Sequence, residues 1–144
     1  MNGVPGIDFP GVGTGLVVLN GNKILLCKRL RAPEALHFSI PGGKVDHLEL
    51  SQDAAIRETL EETGLKIASV SFLCLSEKII EADRQHWISS IFIANDYEGE
   101  PELAEPDKLS DIGWYDLDAL PSPLSQFAQD AVRALKSRSV NSSE

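Results

Sequence analysis

The sequence predicts a single α/β domain in which a mixed β-sheet is flanked by helices. Three observations carry this. Strand-like and helix-like segments both occur but do not alternate regularly, which argues against a doubly wound parallel sheet. Asn20-Gly21-Asn22 joins two apolar runs as a tight hairpin, since Asn-Gly accepts positive φ. The chain has 144 residues, 42% of them hydrophobic, with no internal repeat and no linker long enough to divide it, so one core is expected.

The elements follow in order. Residues 1–10 carry Gly3, Pro5, Gly6 and Pro10 and read as a flexible lead-in to a domain over 11–136. Residues 12–19 and 23–30 read as the two hairpin strands, 31–39 as a loop, and 40–43 (Ile-Pro-Gly-Gly) as a sharp bend. Ser51–Thr63 is the helix candidate, with Ser51 as N-cap, Asp53 in the first turn and Gly64 as its stop. Residues 67–78 and 86–94 read as longer strands, 97–110 as a polar segment and 112–115 as a short strand. Residues 124–136 place Leu124, Phe127, Ala128, Ala131 and Leu135 at helical spacing, and 137–144 read as a disordered tail.

Composition excludes several classes. Thirteen basic and 22 acidic residues give a net charge of −9, which repels a phosphate backbone and argues against a nucleic-acid partner. The acid excess suits a protein that gathers divalent cations, although solubility alone also explains it. Cys27 and Cys74 lie far apart in apolar runs and suggest neither a metal site nor a disulfide framework. No signal peptide and no membrane-spanning run is read, so a cytoplasmic protein is expected.

The chemistry concentrates on the helix. Glu58, Glu61 and Glu62 stand at i, i+3 and i+4 and fall on one face. Three carboxylates there repel one another unless a cation lies among them. Such hard oxygen donors suit Mg²⁺ or Mn²⁺. Ala54 and Ala55 on the same side leave room for ions and water, and Ile56 and Leu60 on the other side are expected to pack on the sheet. A solvated acidic face is the ordinary reading of such a stretch. The flanking residues weigh against it. Gly42-Gly43 lets the backbone turn close to a ligand, and Glu49 and Arg57 follow.

Together these residues read Gly43-x5-Glu49-x7-Arg57-Glu58-Thr59-x-Glu61-Glu62-x-Gly64-Leu65, which is similar to the Nudix box of the Nudix hydrolase family. Thr59 is the soft match, at a usually aliphatic position. One departure stands nearby: Asp46-His47-Leu48-Glu49 replaces the family's Glu-Pro-Gly-Glu, so an altered loop is expected. The resemblance implies an α/β/α sandwich around a mixed sheet, with the box as a loop–helix–loop that holds metal. It implies Glu58 as catalytic glutamate, either metal ligand or water activator. It implies Glu61, Glu62 and the carbonyl of Gly42 as ligands of Mg²⁺, with Mn²⁺ as the other candidate. Arg57 would bridge to Glu49 and fix the carboxylates in place; an ordinary surface ion pair is the plain alternative. Glu105 is the candidate carboxylate outside the box, in a stretch that resembles the MutT-like nucleoside triphosphatases, with Glu100, Glu102, Asp107 and Asp111 competing.

For substrate contacts, Arg29, Phe38 and Gly43 are the candidates, with Lys28 and Arg31 beside Arg29. Trp114 reads as structural, and His86 as a contact or a strand end. The implied reaction is Mg²⁺-dependent hydrolysis of a phosphoanhydride bond in a nucleoside diphosphate derivative. The first substrate class is a nucleoside triphosphate, modified or not, giving a monophosphate and pyrophosphate. An ADP-ribose or dinucleotide pyrophosphatase ranks second, because only about ten residues precede the first strand. A non-catalytic nucleotide-binding module ranks last, because the box glutamates are all present. The expected partner is a small nucleotide, without nucleic acid or membrane, and a homodimer stays open.

Overall fold

The computed structural model describes residues 2–142. Its elements are β1 (Gly11–Val17), β2 (Leu19–Asn20), β3 (Lys23–Arg29), β4 (Phe38–Ser39), β5 (Gly42–Lys44), α1 (Ser51–Thr63), β6 (Val70–Ile80), β7 (Gln85–Ala94), β8 (Leu109–Asp116) and α2 (Gln126–Ser142). A 3₁₀ turn, Glu81–Asp83, joins β6 to β7. The larger sheet runs β5-β1-β7-β6 and is mixed: β1 pairs parallel with β7, while β5 and β6 run antiparallel to their neighbours. A second, antiparallel sheet is built on β3, which pairs with β2, β4 and β8.

Side-chain alternation divides the core into two layers. Val17, Ile24, Leu26, Ile40 and Ile91 pack with Phe127, Ala131 and Val132 of α2. Their strand neighbours Leu16, Val18, Leu25 and Phe92 pack with Ala55 of α1 and with Leu65 and Ile67. The strands are therefore apolar on both faces, and each helix covers one of them. This is the expected mixed sheet with flanking helices. Among the described residues, no helix is long and apolar enough to cross a membrane.

Several expected boundaries move. The last strand is Leu109–Asp116, twice the expected length, because it finds a partner in β3 up to 93 residues earlier (Lys23 opposite Asp116). Helix α2 starts at Gln126, two residues late, because Leu124 bridges to Phe38 and the Ser125 hydroxyl accepts the Ala128 N–H at 3.0 Å. It continues to Ser142, through residues expected as tail, where no Gly or Pro interrupts it; residues 143 and 144 lie outside the described chain. The lead-in is tied to the sheet, since the His86 N–H donates to the Gly6 carbonyl at 2.9 Å.

Helix α1 has the expected span, but its entry and buried face differ from expectation. Leu50, not Ser51, is the N-cap, because the Ala54 N–H already bonds the Leu50 carbonyl at 3.0 Å. No side chain caps this end; the Ser51 carbonyl instead accepts the Thr14 hydroxyl at 2.9 Å. The buried residues are Ala54, Ala55, Thr59, Glu62 and Thr63, while Leu60, expected against the sheet, is 46% exposed. Small side chains let the helix lie close on β1, so the glutamate face is turned partly inward. Thr59 fits there because its hydroxyl donates to the Ala55 carbonyl at 2.8 Å. Gly64 ends the helix at φ 77, as expected of a left-handed cap.

The turn before α1 keeps its hydrogen bonds without Pro-Gly. The Glu49 N–H bonds the Asp46 carbonyl, and the Asp46 N–H bonds Glu49 Oε1, both at 3.1 Å. Leu48 holds the third turn position at φ 68 and is 95% exposed. A type II turn asks for glycine there. Leu48→Gly is therefore expected to raise stability by about 1 kcal/mol, seen as a melting temperature a few degrees higher. A lower melting temperature would show that this strain is absent.

Candidate active site

Arg57 organises the acidic face of α1. Its guanidinium grips Glu49 with two hydrogen bonds, at 2.8 and 2.9 Å. It also donates to Glu58 at 3.0 Å, to both oxygens of Glu61 at 3.3 Å and to the Lys44 carbonyl at 3.2 Å. Asp46 stands 3.5 Å away. The expected link from Arg57 to Glu49 is thus present as a fork against a carboxylate. The hydrogen bonds from Arg57 are the main reason Glu49 is held below the usual carboxylate range, and the same contact pushes the Arg57 pKa further up.

Glu58 and Glu62 lean on the β5 backbone. Glu58 lies against Gly43 so closely that a Cβ there would stand 2.5 Å from its carboxyl carbon, so any side chain at this position would displace the Glu58 carboxylate. The Gly42 N–H donates to Glu62 Oε1 at 2.9 Å. What the structure places against Glu62 is thus the amide of Gly42, where the carbonyl was the expected participant at a metal. Glu62 is only 9% exposed, and burial, opposed by the Gly42 bond and reinforced by Glu58 and Glu105, pushes its pKa up to about 8. Burial also raises Glu58, against the pull of Arg57 and with the push of Glu61 and Glu105. Glu105, from the loop before β8, is thus close enough to act on both glutamates; it pairs with Lys108 at 3.4 Å.

The raised pKa has a stability consequence. Glu62 ionises near 4.5 in the unfolded chain and near 8 in the fold, so between these values the unfolded state holds fewer protons. The metal-free protein is therefore expected to melt at progressively lower temperature as pH rises from about 4.5 to about 8. Glu62→Gln should flatten that slope; an unchanged slope in this variant would exclude Glu62 as its source.

Among the described residues, no three His, Cys, Asp or Glu side chains stand close enough together to hold a metal ion. Arg57 occupies Glu58 and Glu61, and the Gly42 amide occupies Glu62. The donor chemistry still fits a hard divalent cation: Glu58, Glu62 and Glu105 repel one another in a partly buried place, and Arg57 compensates the outer side.

Beyond the two glycines lies a cavity of about 130 Å³. Its lining includes Gly42, Gly43, Arg29, Lys78, Trp87 and Phe127. Of the expected substrate residues, Arg29 and Gly43 line it. Phe38 does not; it packs in the α2 layer, edge-on to Tyr115 at 5.4 Å. Lys28 stands over Phe38 and Arg31 pairs with Asp107, so neither lines the cavity. His86 pairs with Glu77 at 2.7 Å, and Trp114 packs against Tyr97. Sequence reasoning missed Lys78 and Trp87. Alternation along β6 and β7 offered the one available signal, since it separates their two faces.

Known proteins share this architecture. The family profile described as NUDIX domain matches residues 9–135. An ADP-ribose pyrophosphatase of Methanocaldococcus jannaschii is 36% identical over 112 residues, covering 78% of this chain and 65% of that protein. The chain thus spans slightly less than two thirds of that relative's length. An oxidized purine nucleoside triphosphate hydrolase of Danio rerio is 36% identical over 125 residues, covering 83% of this chain and 73% of the relative. The crystal structure of a MutT NUDIX hydrolase from Burkholderia pseudomallei superposes with a TM-score of 0.84 at 40% identity, covering 88% of this chain and 98% of that one.

Proposed function

From the chain's membership of the Nudix hydrolase family, we propose that it hydrolyses the phosphoanhydride bond of a nucleoside triphosphate, releasing a nucleoside monophosphate and pyrophosphate. The family acts on nucleotide derivatives and generally uses divalent metals; Mg²⁺ is the ion proposed here, with Mn²⁺ able to replace it. The observation that carries the reading is the partly buried, mutually repelling set of Glu58, Glu62 and Glu105 beside the Gly42-Gly43 floor of a cavity.

Glu58, Glu61, Glu62 and Glu105 would hold the metal, together with the Gly42 carbonyl. Bound there, a divalent cation neutralises phosphate oxygens and lowers the pKa of water. The remaining work falls to the chain. Glu58 is half-buried and raised in pKa, which suits it to accept a proton from the attacking water. Arg57 and Glu49 keep its carboxylate in place, and Gly43 lets it approach the backbone. Arg29 lies at the cavity wall, where it would meet the phosphates. The triphosphate reading is preferred to ADP-ribose because the oxidized purine nucleoside triphosphate hydrolase matches more of this chain than the ADP-ribose pyrophosphatase does, 83% against 78%, and is itself covered further, 73% against 65%.

The test is a panel of nucleoside triphosphates, ADP-ribose and NADH, with and without Mg²⁺, scored for product release. Metal-dependent release of pyrophosphate from a triphosphate is the expected result. Turnover confined to ADP-ribose would favour the second reading, and no turnover of any compound would sink the enzyme reading for this substrate class. Independently of activity, Mg²⁺ is expected to raise the melting temperature more at pH 8 than at pH 5, because only the ionised carboxylates bind it.

A further inference from the structure

Lys78 has no part in the hydrolysis, yet it is one of the most buried charges in the chain. It comes from β6, lines the cavity, and shares 10% side-chain exposure with its partner Glu34. Glu34 sits in the loop between β3 and β4 and is committed on both oxygens. One accepts from Lys78 Nζ at 3.4 Å, and the other from the Gln126 N–H at 2.9 Å, at the positive end of α2. Lys78 Nζ also stands 5.5 Å from the Phe127 ring, a second cavity wall. Among the described residues the bond to Glu34 is the one hydrogen bond its side chain makes, which leaves N–H groups over. Ser89 is a second unspent polar group. It lines the same cavity and is 5% exposed. Its hydroxyl lies over Gly13 and has no hydrogen bond to the described residues.

The charged side chains of the cavity wall are Arg29, Lys44 and Lys78, and Arg29 is close enough to act on both Glu62 and Lys78. A nucleotide whose phosphates lie by the glutamates and Arg29 would put its base at the Lys78 end. There the walls are the rings of Trp87 and Phe127 and the aliphatic Ile40. Glu34 already balances the charge of Lys78, so this end offers donors without a free cation to hold another phosphate.

We propose that Lys78 determines base specificity, donating a hydrogen bond to a keto oxygen, so that the chain prefers guanine- and uracil-type bases over adenine and cytosine. Guanine presents two acceptors, O6 and N7, where adenine replaces one of them with an amino donor. An ammonium group can pair only with acceptors, so an amino group in that place leaves it unpaired. The proposal rests on the nucleoside triphosphate reading for its relevance to catalysis, but not for its test.

That test is calorimetric binding of GMP, UMP, AMP and CMP without metal, to the full chain and to Lys78→Met, alongside triphosphate turnover. The unmodified chain is expected to bind GMP and UMP roughly 10- to 100-fold more tightly than AMP and CMP. Lys78→Met should lower the keto pair to the level of the amino pair and leave the latter unchanged. In turnover the loss should fall on KM for keto substrates, with kcat retained. Ser89→Ala, too small a change to disturb the sheet, should weaken GMP binding roughly 2- to 10-fold. Equal binding of all four by the unmodified chain overturns the proposal whatever the variants do, as does an equal loss across the four in Lys78→Met. Keto-selective binding without turnover of any triphosphate would sink the hydrolase reading and leave this one standing.

Discussion

Glu58→Gln is expected to lower turnover by roughly 10²- to 10⁴-fold while the protein remains folded. The change keeps the shape and removes the charge and the basic oxygen. The side chain would still pack on Gly43 and still accept from Arg57 Nη1, so a circular dichroism melt should move little. Without a metal the melting temperature should even rise at pH 8, because one of the repelling carboxylates is gone. A variant with near-normal turnover would take Glu58 out of the reaction. A variant that is inactive and unfolded would say nothing for catalysis, which is why the melt is measured alongside.

Arg57→Met should damage both activity and stability. It removes the fork to Glu49 and the bonds to Glu58, Glu61 and the Lys44 carbonyl in one step. Four acidic groups around one guanidinium then repel one another with less compensation. Turnover is expected to fall roughly 10- to 100-fold, the range seen when a group that orients ligands is lost. The melting temperature should fall by several degrees, more at pH 7 than at pH 4, where the acids begin to protonate. Arg57→Lys should recover little activity, since an ammonium cannot present a planar fork to Glu49. Full recovery by lysine would reduce Arg57 to a simple counter-charge.

Much of this was legible in the chain, for local reasons. The span of α1, the Asn-Gly turn and the left-handed stop at Gly64 are set by neighbours a few positions apart. The spacing of Glu49, Arg57 and Glu58 also survives folding, because one helix and one turn carry it. What stayed hidden depends on long-range pairing. Nothing near Ile112 announces that β8 extends along β3, and nothing near Leu60 says that alanine and threonine form the buried face. Phe38 looks like a pocket aromatic until Tyr115 arrives from the far end of the chain. Lys78 is an unremarkable strand residue until a loop 44 positions away brings Glu34 to it.

The strand Gly42–Lys44 separates two territories. On one side lie the acids of α1, the helix whose Ala55 belongs to one core layer; on the other lies the cavity, walled by Ile40 and Phe127 of the opposite layer. The partition has an evolutionary consequence. Substitutions that retune the cavity draw on one half of the core, while the reactive acids rest on the other. Substrate preference can drift across descendants of such a gene without disturbing the bond-breaking apparatus, whereas Gly42 at the boundary, where a Cβ would collide with the Thr14 carbonyl oxygen, tolerates almost no change.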